Sequence, residues 1–210
     1  MPDSLEISPV VLAAGMSHRF GSNKLLHPLT LHGVTLPIAA HSLLPWLDSF
    51  EYVTVVVGSD AEYLCNTIET AIGTIRATAL RWVKCNEADK GLASSVKCGV
   101  KKNSSAAGWI IGLGDMPAIP SKAIIDVRNS LMNGAKIAAP YFKNDRGHPV
   151  GFSSNYYAEL TNLNGDTGAR YLLERDKHLI QRVEIAHAGI LTDIDFIRDL
   201  QQQSLYVASE

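Results

Sequence analysis

The sequence predicts an α/β fold, a three-layer α/β/α, Rossmann-like arrangement around a mainly parallel sheet. Three observations predict it. Short β-rich runs alternate with segments of helical spacing. The runs are apolar almost throughout, as strands covered on both faces require. Polar and glycine-bearing stretches gather where the runs end, the edge at which open α/β sheets place their ligands.

Taken in order, "SPVVLAA", "YVTVVVG", "ALRWVKC", "WIIGLGD", "KIAAPYF" and "HPVGF" read as strands. "PIAAHSLLPWL", "DAEYLCNTIETAI", "LASSVKCGVKK" and "SKAIIDVRNSLM" space their apolar residues as helices packing one face on a sheet do. The last of these has Pro120 and Ser121 at its start and Asn133-Gly134 as its stop. Beyond about residue 140 the pattern turns irregular: "YFKNDRGHPVGF" reads as a hairpin and "GDTGARYLLER" as a loop feeding a helix. With 210 residues, 46% hydrophobic, the chain is long enough for one sizeable core and shows no repeat or linker.

A net charge of -2, with Lys and Arg scattered, gives no basic stripe for a nucleic-acid backbone, so no nucleic-acid partner is expected. Without a basic n-region or a run of about eighteen apolar residues, a cytoplasmic protein without membrane contact is expected. Cys65, Cys85 and Cys98 have no metal-binding spacing and read as reduced, buried thiols.

The first strand empties into "AAGMSHRFGSNK". Gly15 and Gly21 let backbone N–H groups approach a ligand, Ser17 adds a hydroxyl, Arg19 a planar fork and Lys24 a mobile point charge. Such a loop suits a polyphosphate. It is not a Walker loop, because Ser22-Asn23 separates Gly21 from Lys24, and Ser17 stands where a dinucleotide fingerprint needs glycine. "GWIIGLGDMPAIP" ends a strand on Asp115, a hard oxygen ligand suited to Mg2+ beside phosphates, or a cap for the turn before Pro117. "LTDIDFIRDL" places Asp193 and Asp195 on one face of an extended segment. Neither a nucleophile elbow nor a Cys/His pair is present.

"LAAGMSHRFGSNKLL" resembles the L-A-A-G-x-S-x-R-[FM]-G-x-x-K signature of MobA-like nucleotidyltransferases related to molybdenum cofactor cytidylyltransferase, in the nucleotide-diphospho-sugar transferase fold. The likeness continues in "NEADKGLASSV", "GDMP", "RGHPV", "NGDTGAR" and "DID", nearly the whole chain. It implies a single nucleotidyltransferase domain over residues 1–210, with about 1–135 as the nucleotide-binding half and about 136–210 as the acceptor-binding half. It further implies nucleotide contacts from Leu12, Ala13, Ala14, Gly15, Ser17, Arg19, Gly21, Lys24, Gly91, Ser94 and Ser95. Lys24, Arg19 and Asp115 would be catalytic, with Mg2+ on Asp115 and Asp195. Arg146, His148, Asp166 and Arg170 would face the acceptor.

The chemistry implied is transfer of CMP from CTP to the phosphate of molybdopterin, as molybdenum cofactor, which is then passed to a recipient molybdoenzyme or its chaperone. Relatives usually continue D-[IV]-D with T-P-E, where this chain has Phe196, Ile197 and Arg198, so Asp195 reads either as a metal ligand or as a helix cap. Ser94 and Ser95 read equally as a plain helix start, His148 as a residue held within its turn, and Asp166 and Arg170 as capping residues. A GTP-using transferase, a transferase with another acceptor, and a non-catalytic carrier of the pterin are the competing expectations. A nicotinamide oxidoreductase ranks after them.

Overall fold

The computed structural model describes residues 6–15, 20, 23–165 and 168–200. Strand β1 (Ile7–Leu12) is wholly buried and runs into the glycine-bearing loop. A single 3-10 turn at Lys24–Leu26 leads to an antiparallel ribbon of β2 (Pro28–Leu31) and β3 (Val34–Pro37), then to helix α1 (Ile38–Leu47). There follow β4 (Val53–Val57), α2 (Glu62–Ile72), the one-turn α3 (Thr74–Ala77), β5 (Leu80–Lys84), α4 (Leu92–Lys102), β6 (Gly108–Leu113) and α5 (Ser121–Met132). The remaining elements are β7 (Ile137–Phe142), β8 (Asp145–Arg146), β9 (Val150–Ser153), α6 (Tyr157–Thr161), α7 (Arg170–Arg175) and β10 (Ile180–Glu184).

The main sheet runs β10-β7-β9-β6-β1-β4-β5, with β8 paired to β7 alone. Strand β1 is parallel to β4 and β6, β4 to β5, and β7 to β10. Among the described residues only β8 and β9 run against their neighbours in this sheet. Alternation of side chains along each strand builds two cores. On one face Val11, Val55 and Ile110 meet Leu43 and Trp46 of α1, Ile68 of α2 and Ile124 of α5. On the other, Val10, Val56 and Trp109 meet Val96 and Val100 of α4, Leu160 of α6 and Leu172 of α7. The three-layer α/β/α arrangement follows directly. Residues from both halves of the chain share this one sheet.

The "YFKNDRGHPVGF" hairpin forms as β7 and β8, turning on Lys143 (φ 49°) and Asn144 (φ 74°). Two consecutive residues of positive φ make the tight turn whose twist matches the flanking strands. The chain then returns as β9 between β6 and β7.

The cysteines correct the sequence expectation of three reduced thiols: Cys85 and Cys98 form a disulfide, and Cys65 is free. Their spacing gives no hint of it. The turn from β5 into α4 folds the helix back over the strand end and brings the two Cα atoms to 5.9 Å, within disulfide reach. Among the described residues no helix is long and apolar enough to cross a membrane.

Candidate active site

The C-terminal ends of β1, β4, β5 and β6 lie along one edge of the sheet, because parallel strands deliver their ends together. Backbone bonds fix that edge: Ala13 donates to the Val56 carbonyl at 2.8 Å, and Gly114 donates to the Leu12 carbonyl at 2.9 Å. A cleft of three joined cavities follows it. The first, about 430 Å³, lies among Ala13, Ala14, Gly15, Gly58, Ser59, Asp60, Tyr63, Asn86 and Asp89. The second, about 340 Å³, is lined by Leu12, Ala13, Ala14, Gly15, Lys24, Gly91, Ser95 and Asp115. The third, about 310 Å³, has apolar walls, including Leu12, Val96, Ile111, Val150, Phe152 and Leu173, and polar groups Arg146, His148 and Arg170.

Lys24 is central. Its Nζ lies 2.6 Å from Asp115 Oδ2 and 3.2 Å from Asp195 Oδ1, with only 12% of its side chain exposed. The mobile point charge expected from the loop is therefore held in an ion pair. Burial pulls the Lys24 ammonium downward, but Asp115 and Asp195 together outweigh it and hold the group above the usual lysine range. Asp193 sits beside the same cluster, its carboxyl pushed up by burial first and then by Asp115 and Asp195.

A backbone contact brings these acids together. Ile194, fully buried beneath the β2–β3 ribbon, donates from its N–H to the Asp115 carbonyl at 3.0 Å. Alternation along the extended strand-like segment then sets Asp193 and Asp195 on its other face. The Asp195 carboxylate is turned to Lys24, while Asp199 Oδ2 accepts the N–H groups of Asp195 (3.0 Å) and Phe196 (2.7 Å). Asp199 thus caps the turn.

Divalent cations require hard oxygen ligands. Asp115 Oδ1 is buried with no hydrogen-bond partner, and the Lys24 ammonium already stands as a positive charge between Asp115 and Asp195. These residues fit a divalent metal. Among the described residues no group of three or more His, Cys, Asp or Glu could hold a metal ion. Phosphate oxygens and water must then complete any coordination.

Gly91 caps the start of α4 with φ 107°, a conformation that side chains rarely adopt, and opens the helix start to the second cavity. Ser95 lines that cavity, whereas Ser94 is buried and lines none of the three. Ser17, Arg19, Gly21 and Asp166 lie outside the described residues. Sequence reasoning missed Ser59, Asp60 and Tyr63 after β4, although their signal is the ordinary one of polar residues directly beyond an apolar parallel strand.

His148 is buried beside Arg146, and its Nδ1 has no partner. Burial, reinforced by Arg146 and opposed by Asp193, holds the imidazole below the usual histidine range. A depressed base adds stability above its unfolded pKa near 6.5, and that stability is lost as pH falls. Between pH 7.5 and 5, urea unfolding should show the wild type losing up to about 1.4 kcal/mol per pH unit more than His148→Gln. Parallel curves for the two proteins would remove His148 from the acid response.

Residues 9–182 match the MobA-like NTP transferase domain. The purine catabolism protein PucB of Bacillus subtilis (strain 168) is 33% identical over 198 residues, covering 89% of this chain and 90% of PucB. An Rv0371c homolog from Mycobacterium sp. strain JC1 superposes with a TM-score of 0.78 at 26% identity, covering 97% of each chain. Rv0371c of Mycobacterium tuberculosis H37Rv, solved in complex with manganese, superposes at 0.73 and 22% identity over 95% of this chain and 98% of its own. Nucleotidyl transfer in such proteins typically depends on a divalent metal. The chain therefore belongs to the MobA-like NTP transferase family and is a nucleotidyltransferase.

Proposed function

We propose that the protein transfers CMP from CTP to the terminal phosphate of molybdopterin, as molybdenum cofactor, and releases pyrophosphate. The observation that carries this reading is the order of the cleft: a base-sized cavity, then the Lys24–Asp115–Asp195 cluster, then an apolar-walled cavity bearing Arg146 and Arg170. Apolar walls suit a flat heterocycle, and arginine suits its phosphate.

In this reading a phosphate oxygen of the acceptor attacks the α-phosphorus of CTP. The bond from that phosphorus to the α–β bridging oxygen breaks, and its electron pair leaves with pyrophosphate. No general base is needed, because a phosphate monoester is largely ionised near neutral pH (second pKa about 6). Lys24 and Arg19 neutralise the phosphates, while Gly15, Gly21, Ser17, Gly91 and Ser95 give the triphosphate donors or close backbone approach. Mg2+, held by Asp115 and Asp195, would supply charge neutralisation at the reacting phosphates. Arg146, His148, Asp166 and Arg170 orient the acceptor. Residues before about 135 form the donor half and those after it the acceptor half.

Two features favour CTP. Asp60 and Asp89 line the base end, and a carboxylate accepts from the cytosine amine but not from the uracil carbonyl. The Ala14 methyl crowds a purine more than a pyrimidine, an effect of about 1–3 kcal/mol. A relative named for purine catabolism fits a recipient molybdoenzyme, or its chaperone, that serves purine breakdown.

The experiment is to incubate the purified protein with each ribonucleoside triphosphate, Mg2+ and molybdenum cofactor, and to follow pyrophosphate. CTP should exceed GTP by about 5- to 150-fold in kcat/KM. Equal rates or a GTP preference would overturn the nucleotide assignment. Release that does not depend on the pterin would overturn the acceptor. Binding of the pterin without any release would favour a carrier.

A further inference from the structure

We propose that Lys24 keeps the divalent-metal position closed in the nucleotide-free protein, so that metal enters together with the triphosphate and not before it. The inference rests on the reading of Asp115 and Asp195 as metal ligands. Its basis is positional. The Lys24 ammonium reaches Asp115 Oδ2 at 2.6 Å and Asp195 Oδ1 at 3.2 Å, the same two carboxylates that suit the cation. A second positive charge beside that ammonium meets direct repulsion, in a place where only 12% of the lysine and 17% of the Asp115 side chain reach solvent to screen it.

Among the described residues nothing comparable blocks the other side of Asp115. Its Oδ1 is buried and without a hydrogen-bond partner, so one carboxylate carries an occupied oxygen and an unsatisfied one. Lys24 and Asp115 line the same cavity, the one that the glycines Gly15 and Gly91 open to phosphate. A triphosphate entering there attracts the ammonium on its flexible four-carbon stem. Lys24 then exchanges carboxylate oxygens for phosphate oxygens, and Asp115 and Asp195 turn to the cation arriving with the nucleotide. The same side chain thereby guards the acids before binding and neutralises phosphate after it.

Mn2+ binding to the nucleotide-free protein, followed by electron paramagnetic resonance, tests this without any turnover. Lys24→Met keeps the length of the side chain and removes its charge, and should tighten Mn2+ binding at least about tenfold. Asp115→Asn in the Lys24→Met background should abolish that gain. Lys24→Arg, which restores a cation, should bring Mn2+ affinity back toward the wild-type value, and thermal unfolding checks that each variant is folded. Unchanged or weaker Mn2+ binding by folded Lys24→Met would overturn the proposal, as would a gain that survives loss of the Asp115 charge. Pyrophosphate release from wild type with CTP and the pterin is read separately. Release with no Mn2+ gain in Lys24→Met leaves nucleotidyl transfer standing and removes the guard, whereas the gain without release does the reverse.

Discussion

Asp115→Asn is expected to lower kcat on the order of 10²–10³-fold while leaving the KM for CTP within a few-fold of wild type. The asymmetry follows from where the charge acts. Asp115 does not line the first cavity and faces the Lys24 cluster, where under the proposed function the phosphates lie, so its contribution should grow as negative charge develops on departing pyrophosphate. Asn keeps the volume and one acceptor oxygen, so the backbone link from Ile194 to the Asp115 carbonyl is untouched. Asp195→Asn should be milder, because Asp195 is 35% exposed and its pairing with Lys24 is the longer one. Steady-state rates against Mg2+ and CTP concentration read both variants. A fall in CTP affinity as large as the fall in turnover would show that Asp115 binds nucleotide in the ground state instead.

Gly147→Ala should cost about 3 kcal/mol or more and lower Tm by roughly 6–12 °C. The glycine has no room to spare: an added Cβ would strike the Ile190 carbonyl group, which is backbone and cannot rotate away. That carbonyl also accepts the His148 N–H at 2.8 Å, so the collision pushes apart the segment before β9 and the segment leading to Asp193 and Asp195. Acceptor binding should weaken together with stability. Calorimetry of folded variant at low temperature separates the two effects, and a Tm within about 2 °C of wild type would contradict the packing argument.

Much of this architecture is legible in the residues. Runs such as "YVTVVVG" and "WIIGLGD" are buried on both faces, and burial on both faces is what makes a strand readable without alternation. The ribbon of β2 and β3 escaped because its signal lies in two residues: His32 (φ 50°) and Gly33 (φ 76°) make its turn, and histidine is a less obvious left-handed residue than asparagine. Strand β10 escaped for another reason. "IQRVE" lies at the sheet edge, where charged side chains are tolerated and the apolar pattern fades.

The site divides along the same line. The "GDMP" and first-loop motifs are contiguous, so the sequence displays them whole. Lys24 lies far along the chain from Asp115 and 171 residues from Asp195, so their meeting appears only on folding. The Cys85–Cys98 disulfide is hidden in the same way, since only the β5-to-α4 turn makes neighbours of residues 13 apart.

The reversed direction of β9 bears on how such a protein changes over time. Running against β6, it presents its first residues where β6 presents its last, so Arg146, Gly147 and His148 reach the same rim as Gly114 and Asp115 from the opposite side. The two sets of loops hang from neighbouring strands but share few side chains. Mutation can therefore redraw the β8–β9 and α7 side of the cleft, which under the proposed function receives the acceptor, while the β1, β4 and β5 loops stay unchanged. Under the proposed function, inheritance of the donor and experimentation with the acceptor fall to separate ends of one rim.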